Sequence, residues 1–154
     1  MLIENILTLQ CVRANVDCLS RKKVLELISK IAAERLEEEP QRLFDSIYAR
    51  EKLGSTGIGN QVAIPHCSTR KASKFVGVLV TLTSPIDFSA IDNLPVDVFF
   101  ALFYPHESTD YSKCLEEISK KLEDKELIRL LKTATSDADL YDKIVRYKWS
   151  EWQR

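Results

Sequence analysis

An α/β fold, a three-layer α/β/α sandwich, is predicted for this 154-residue chain by three observations. Helical and strand patterns interleave along it. Two long apolar runs, Phe75 to Leu82 and Val96 to Tyr104, read as strands covered on both faces, because neither alternates with polar residues. No repeat or low-complexity linker interrupts it, so residues 1–154 are expected to form one domain. Layers of helix on both faces of a sheet are the economical way to bury two such strands.

The elements follow in order. Leu2 to Leu9 is a mixed apolar lead-in of no clear type. Val12, Ala14 and Val16 alternate with Arg13, Asn15 and Asp17, as in a half-exposed strand. Ser20 stands where a helix N-cap belongs, ahead of Val24, Leu25, Leu27, Ile28, Ile31, Ala32 and Leu36 at helical spacing. The acidic run Glu37-Glu38-Glu39 closes that helix or lies just past it and reads as solvated surface. Pro40 suits the first turn of a second helix, with Leu43, Phe44, Ile47 and Tyr48 as its buried stripe and Gly54 as its stop. Arg50 falls near its C-terminal end, where the helix dipole favours a cation.

The stretch from Tyr48 to Cys67 organises the remainder. It holds three of the four glycines and one of the two histidines. It reads as a helix end, a glycine loop, and a short strand, Val62-Ala63-Ile64, that stops at Pro65 and delivers His66 to its tip. Ser68 to Lys74 is expected to be a loop, Ser84-Pro85 a turn, and Asp92 to Pro95 another. After Pro105 the chain turns helical. Leu115, Ile118 and Leu122 define one helix. Asp124 caps a short second one, and Ser136 with Asp139 resembles a capping box for a third. The tail 146–154 carries two tryptophans without a period, fit either to pack on the domain or to serve a contact.

Composition excludes several function classes. A net charge of −1, with 45% hydrophobic and 29% charged residues, offers no basic field for nucleic acid. No apolar run approaches the roughly 20 residues of a membrane span, and the N-terminus lacks the features of a signal peptide, so no membrane insertion and a cytoplasmic location are expected. Cys11, Cys18, Cys67 and Cys114 form no Cys-x-x-Cys pair and two histidines supply few ligands, so no metal and no cofactor are expected. Reduced, mostly buried thiols follow.

Three phosphate-related motifs are separable at the glycine stretch. Gly54-Ser-Thr-Gly-Ile-Gly lacks the Gly-Lys-Ser/Thr of a P-loop. Gly57-Ile-Gly59-Asn-Gln-Val62 lacks the third glycine of a dinucleotide fingerprint and leads into a strand, not a helix. What is left is a loop with expected free amides, two hydroxyls and a nearby arginine, able to cradle a small anion. His66 is the natural bearer of that anion, since a neutral imidazole nitrogen at cellular pH can attack a phosphoryl group. Arg50 would stabilise the charge, with Ser55 and Thr56 completing the shell. The plainer alternatives are that a histidine after Ala-Ile-Pro caps or packs, and that glycines after a helix only end it.

The run from Arg50 through Gly54-Ser-Thr-Gly-Ile-Gly to Ala63-Ile-Pro-His66 closely resembles the active-site signature of the mannitol/fructose-type enzyme IIA proteins of the bacterial phosphoenolpyruvate phosphotransferase system, and their nitrogen-regulatory branch above all. Val16 to Lys23, Phe88 to Asp97 and Ser136 to Tyr141 agree, and the resemblance covers residues 5–145. It implies a mannitol-type α/β/α sandwich with a mixed sheet. It implies that His66 takes a phosphoryl group from an HPr-type histidine phosphocarrier, with Arg50 as phosphate partner and Ser55 and Thr56 beside it, and that phosphorylation state governs partner binding. Relatives carry a second histidine at the start of the helix after the last strand. Tyr111 holds that place here, and His106 falls five residues early. Tyr111 as a hydrogen-bond donor to phosphate, and His106 reaching in from its loop, are the two candidate replacements. Two other functions stay open: a sugar-permease component passing phosphate to an enzyme IIB, and a binding module indifferent to phosphorylation.

Overall fold

The apolar runs become the two central strands of a six-stranded mixed sheet. The computed structural model of the protein describes residues 3–148. Its strands are β1 (Val12–Val16), β2 (Gly57–Gly59), β3 (Val62–Ala63), β4 (His66–Thr69), β5 (Val76–Ile86) and β6 (Val96–Pro105). The order is β1-β5-β6-β3-β2, with β4 also paired to β6. β5 and β6 are antiparallel, whereas β1 runs parallel to β5, and β3 and β4 run parallel to β6.

Among the described residues, five α-helices complete the α/β/α fold: α1 (Arg21–Leu36), α2 (Pro40–Leu53), α3 (Tyr111–Leu122), α4 (Lys125–Lys132) and α5 (Asp137–Arg146). Helix α1 packs on α2 and β5, α2 on β4, and α5 on β1 and α4. Every residue from Val76 to Leu82 is buried, as a strand covered on both faces requires. Phe88 and Phe99 meet edge to face inside, with centroids 5.1 Å apart, a geometry worth about 0.5–1.5 kcal/mol beyond area burial.

The predicted caps form. Ser20 Oγ accepts from Lys23 N, Asp124 from Glu126 N and Leu127 N, and Ser136 Oγ from Asp139 N. The capping box at α5 is shifted by one residue: Asp139 accepts from Thr135 N instead of closing on Ser136 N. All four cysteines are free thiols, three of them buried.

Three expectations are corrected, and the stop at Gly54 holds with its own geometry. Ser84-Pro85 is no turn. β5 runs on to Ile86, and its register with β6 shifts between Thr81 and Ile86, so Pro85, which has no N–H to give, sits in an irregular, exposed stretch where none is needed. Gly54 ends α2 but in an extended conformation (φ 165°), without a left-handed cap. Ser68 and Thr69 belong to β4, not to a loop. The glycine segment is an ordered hairpin: β2 and β3 pair antiparallel around Asn60 and Gln61, whose φ values of 56° and 69° match a primed hairpin turn. Trp149 and Trp152 lie outside the described residues.

Candidate functional site

Strands β3 and β4 are one broken strand running along a single edge of β6. Val62 and Ala63 lie in register with Val98 and Phe99, and His66 to Thr69 with Leu102 to Pro105. Ile64 and Pro65 make the interruption, with Pro65 O accepting from Leu102 N at 2.8 Å. His66 is therefore the first residue past a break, not the tip of a strand. The break turns the Ile64 carbonyl to the imidazole, and His66 Nδ1 lies 2.8 Å from Ile64 O. A carbonyl only accepts, so Nδ1 carries the ring proton. Nε2 is then an unprotonated nitrogen with no hydrogen-bond partner among the described residues.

The His66 ring is half-buried and opens into a cavity of about 230 Å³ lined by Arg50, Ser55, Thr56, Ile58, Leu115 and Ser119, among others. Burial pushes the imidazole pKa below its usual value. The bond to Ile64 O works against that shift, and the positive charge of Arg50 adds to it. The ring is thus held neutral, the form a nucleophile needs. Arg50 is itself fixed: from the last turn of α2 its Nη1 donates to Gly54 O at 2.8 Å. A guanidinium has five donors, so others are left for an anion.

The hairpin wall is more committed than the sequence implies. Ser55 Oγ donates to Phe88 O at 2.6 Å and accepts from Gly57 N at 3.1 Å. Thr56 is buried; its hydroxyl donates to Glu51 Oε1 at 2.6 Å and its N–H to Glu51 Oε2 at 2.7 Å. The N–H of Gly54 goes to Glu51 O. The expected loop of free amides and free hydroxyls is in fact a laced segment. Ser55 and Thr56 line the cavity but spend their hydroxyl protons on the protein. A Cβ on Gly57 would sit 2.7 Å from Ala90 Cβ, so only glycine lets the hairpin pack this closely.

Glu51 is the residue that sequence reasoning passed over. It is 2% exposed, and burial pushes its carboxyl pKa up while the two Thr56 donors pull it back. Its signal was present: a carboxylate in the last turn of a helix opposes the dipole, and a broken local rule asks for a reason. Leu115 and Ser119 were missed because only the packing of α3 brings them to the cavity.

The two replacement candidates are separated. His106 lines a different cavity, of about 660 Å³, with Arg42, Arg70, Lys71 and Thr69 among its walls. Its Nε2 lies 3.6 Å from Glu107 Oε1. It is not part of the His66 cavity, because Pro105 carries the chain past the far end of β4. Tyr111 begins α3 and is exposed; its ring stacks on Tyr104 with centroids 4.6 Å apart and planes 4° from parallel. Burial pushes the Tyr104 hydroxyl above the usual tyrosine pKa, and the positive charge of Arg50 works against that shift. Neither Tyr111 nor Tyr104 lines the His66 cavity.

The family model described as "Phosphoenolpyruvate-dependent sugar phosphotransferase system, EIIA 2" matches residues 5–147. The chain belongs to this family. Among its enzyme IIA relatives, the nitrogen regulatory protein of Escherichia coli (strain K12) is 45% identical over 141 residues, covering 90% of this chain and 86% of the relative. That of Pseudomonas aeruginosa is 37% identical over 145 residues, covering 93% and 94%. The crystal structure of nitrogen regulatory protein IIA-Ntr from Neisseria meningitidis superposes with a TM-score of 0.85 at 28% identity, over 92% of this chain and 98% of that one. The mannitol IIA of Escherichia coli shares the fold, with a TM-score of 0.74 at 14% identity, over 89% and 97%. This IIA chain is therefore of the nitrogen-regulatory kind, within a family of phosphotransfer components. No helix among its described residues is long and apolar enough to cross a membrane.

Proposed function

We propose that the chain is a reversible phosphoryl carrier. His66 Nε2 accepts a phosphoryl group from the phosphohistidine of an HPr-type carrier protein, and the phosphorylation state of His66 governs which proteins the chain binds. The observation that carries the reading is the bond between His66 Nδ1 and Ile64 O, which leaves Nε2 as the nucleophile in a cavity shared with Arg50.

In the step, the Nε2 lone pair attacks phosphorus and forms an N–P bond. The donor's N–P bond breaks, and its electron pair leaves with the donor imidazole. The proton stays on His66 Nδ1, held by Ile64 O, so the phosphorylated ring is cationic and a good leaving group for onward transfer. Phosphoryl transfer asks a protein mostly for positioning and charge stabilisation. The remaining guanidinium donors of Arg50 suit the phosphoryl oxygens. The added negative charge alters the electrostatics of the cavity mouth, a local change that partners can read.

The test is incubation with enzyme I, an HPr-type carrier and phosphoenolpyruvate. Acid-labile phosphate on the wild type, absent from His66→Ala, is expected. Equal labelling of both, or none on the wild type, rejects the reading. Partner capture that is the same for wild type and His66→Ala in cells with an active relay rejects its regulatory half.

A further inference from the structure

Glu51 contacts neither His66 nor the space where a phosphoryl group would sit. It is nevertheless the start of a continuous chain of hydrogen bonds that ends on the imidazole. Its carboxylate accepts from the N–H and the hydroxyl of Thr56, at 2.7 and 2.6 Å. The Thr56 carbonyl accepts from Ile64 N at 3.0 Å. The Ile64 carbonyl accepts from His66 Nδ1 at 2.8 Å. Each link joins a different piece of the molecule: the end of α2, the segment entering the hairpin, the break between β3 and β4, and the ring.

Glu51 is also the sequence neighbour of Arg50. The backbone carbonyl of Glu51 accepts from Gly54 N, and the Gly54 carbonyl accepts from Arg50 Nη1. The residue that anchors the hairpin therefore also closes the turn on which the guanidinium rests. A carboxylate buried in a helix's last turn is unfavourable twice over, through desolvation and through the dipole. Thr56 satisfies both of its oxygens, which is the arrangement that makes such burial tolerable.

We infer that Glu51 is a positioning residue for phosphoryl transfer: through Thr56 and Ile64 it holds His66 in the Nδ1–H tautomer and keeps Nε2 free as the nucleophile. The inference rests on the carrier reading of His66 for its functional consequence, but its structural half, the tautomer, can be read without any phosphoryl donor. Loosening the Glu51–Thr56 link frees the Thr56 carbonyl, then the Ile64 peptide, then the acceptor that fixes the ring proton. A misplaced reacting group costs up to about 100-fold in rate.

The experiment combines long-range ¹H–¹⁵N spectra of His66 in the unphosphorylated protein with rates of phosphoryl acceptance, for wild type, Glu51→Ala, Glu51→Gln and Thr56→Val. Circular dichroism establishes that each is folded. Wild type is expected as the Nδ1–H tautomer. Glu51→Ala should show a mixture of tautomers and accept phosphoryl groups about 10- to 100-fold more slowly. Glu51→Gln keeps an acceptor for the Thr56 N–H, and its amide can donate to a rotated Thr56 hydroxyl, so it should restore the tautomer and bring the rate to within a few-fold of wild type. A folded Glu51→Ala with the wild-type tautomer and wild-type rate overturns the inference. If Glu51→Ala does not fold, Thr56→Val decides, since valine fits the same space and removes only the hydroxyl: an unchanged tautomer and rate there overturns it. A shifted tautomer together with no labelling of the wild type sustains the positioning chain and rejects the carrier reading instead.

Discussion

His66 and His106 carry the same ring into opposite surroundings. His66 is half-buried, bound to a carbonyl two residues back and held neutral beside an arginine. His106 is exposed, faces the carboxylate of Glu107 and lines a separate cavity. The two sit at opposite ends of β4: His66 begins it, in register with Leu102, and His106 N bonds to the carbonyl of Thr69, its last residue, at 3.3 Å. A place on the paired strands β4 and β6 thus does not by itself give a histidine a buried, oriented ring. The interruption at Ile64-Pro65 makes the difference: it hands His66 a carbonyl that would otherwise be committed to the ladder, and places the ring under α3.

That contrast predicts a graded series. The largest effect is expected from His66→Ala, which should abolish labelling in the phosphorelay, whereas His106→Ala should label like wild type. A His106→Ala protein that cannot be labelled would break the contrast. Next comes Arg50→Ala, which removes the positive charge from the His66 cavity but not the ring; by analogy with losing one preorganised donor, transfer should slow roughly 10²- to 10³-fold. Single-turnover kinetics that match wild type would remove Arg50 from the role.

A smaller effect follows from pH. The folded-state pKa of His66 is depressed, so between that value and the ordinary value of about 6.5 the unfolded chain binds the extra proton. The stabilisation from the neutral ring is then fully present above about pH 6.5 and lost as pH falls through the folded value. Acceptance of phosphate should persist below about pH 6.5 for the same reason. An NMR titration of His66 with a midpoint above about 6.5 contradicts this. The smallest effect concerns the neighbouring thiol. Burial pushes Cys67 up to about 12, so at pH 8 iodoacetamide should modify the half-buried Cys18 first and leave Cys67 until the protein unfolds. Early labelling of Cys67, read by peptide mass spectrometry, would show that the strand carrying His66 opens more readily than its burial implies.

Much of this was legible in the chain. The buried runs of β5 and β6, the caps at Ser20, Asp124 and Ser136, the stop after Leu53 and the pairing of His66 with Arg50 in one cavity all follow local rules of periodicity, capping and motif spacing. The misreadings have local causes too. Asn60-Gln61 reads as open loop because Gln at positive φ is not a hairpin signal, unlike Asn-Gly. Ser84-Pro85 reads as a turn because proline usually excludes a strand, and nothing local announces the register shift that accommodates it.

By itself the sequence determined the fold class, the glycine-histidine motif and the presence of an arginine at the end of the preceding helix. These depend on residue type and spacing over a few turns of chain. Only the tertiary structure decided which ring nitrogen is left free, that Ser55 and Thr56 are tied to Phe88 and Glu51, and that His106 belongs to another cavity. Those outcomes depend on hydrogen-bond partners and helix packing drawn from distant parts of the chain, and a carbonyl's direction or a helix's seat has no signature in the residues beside it.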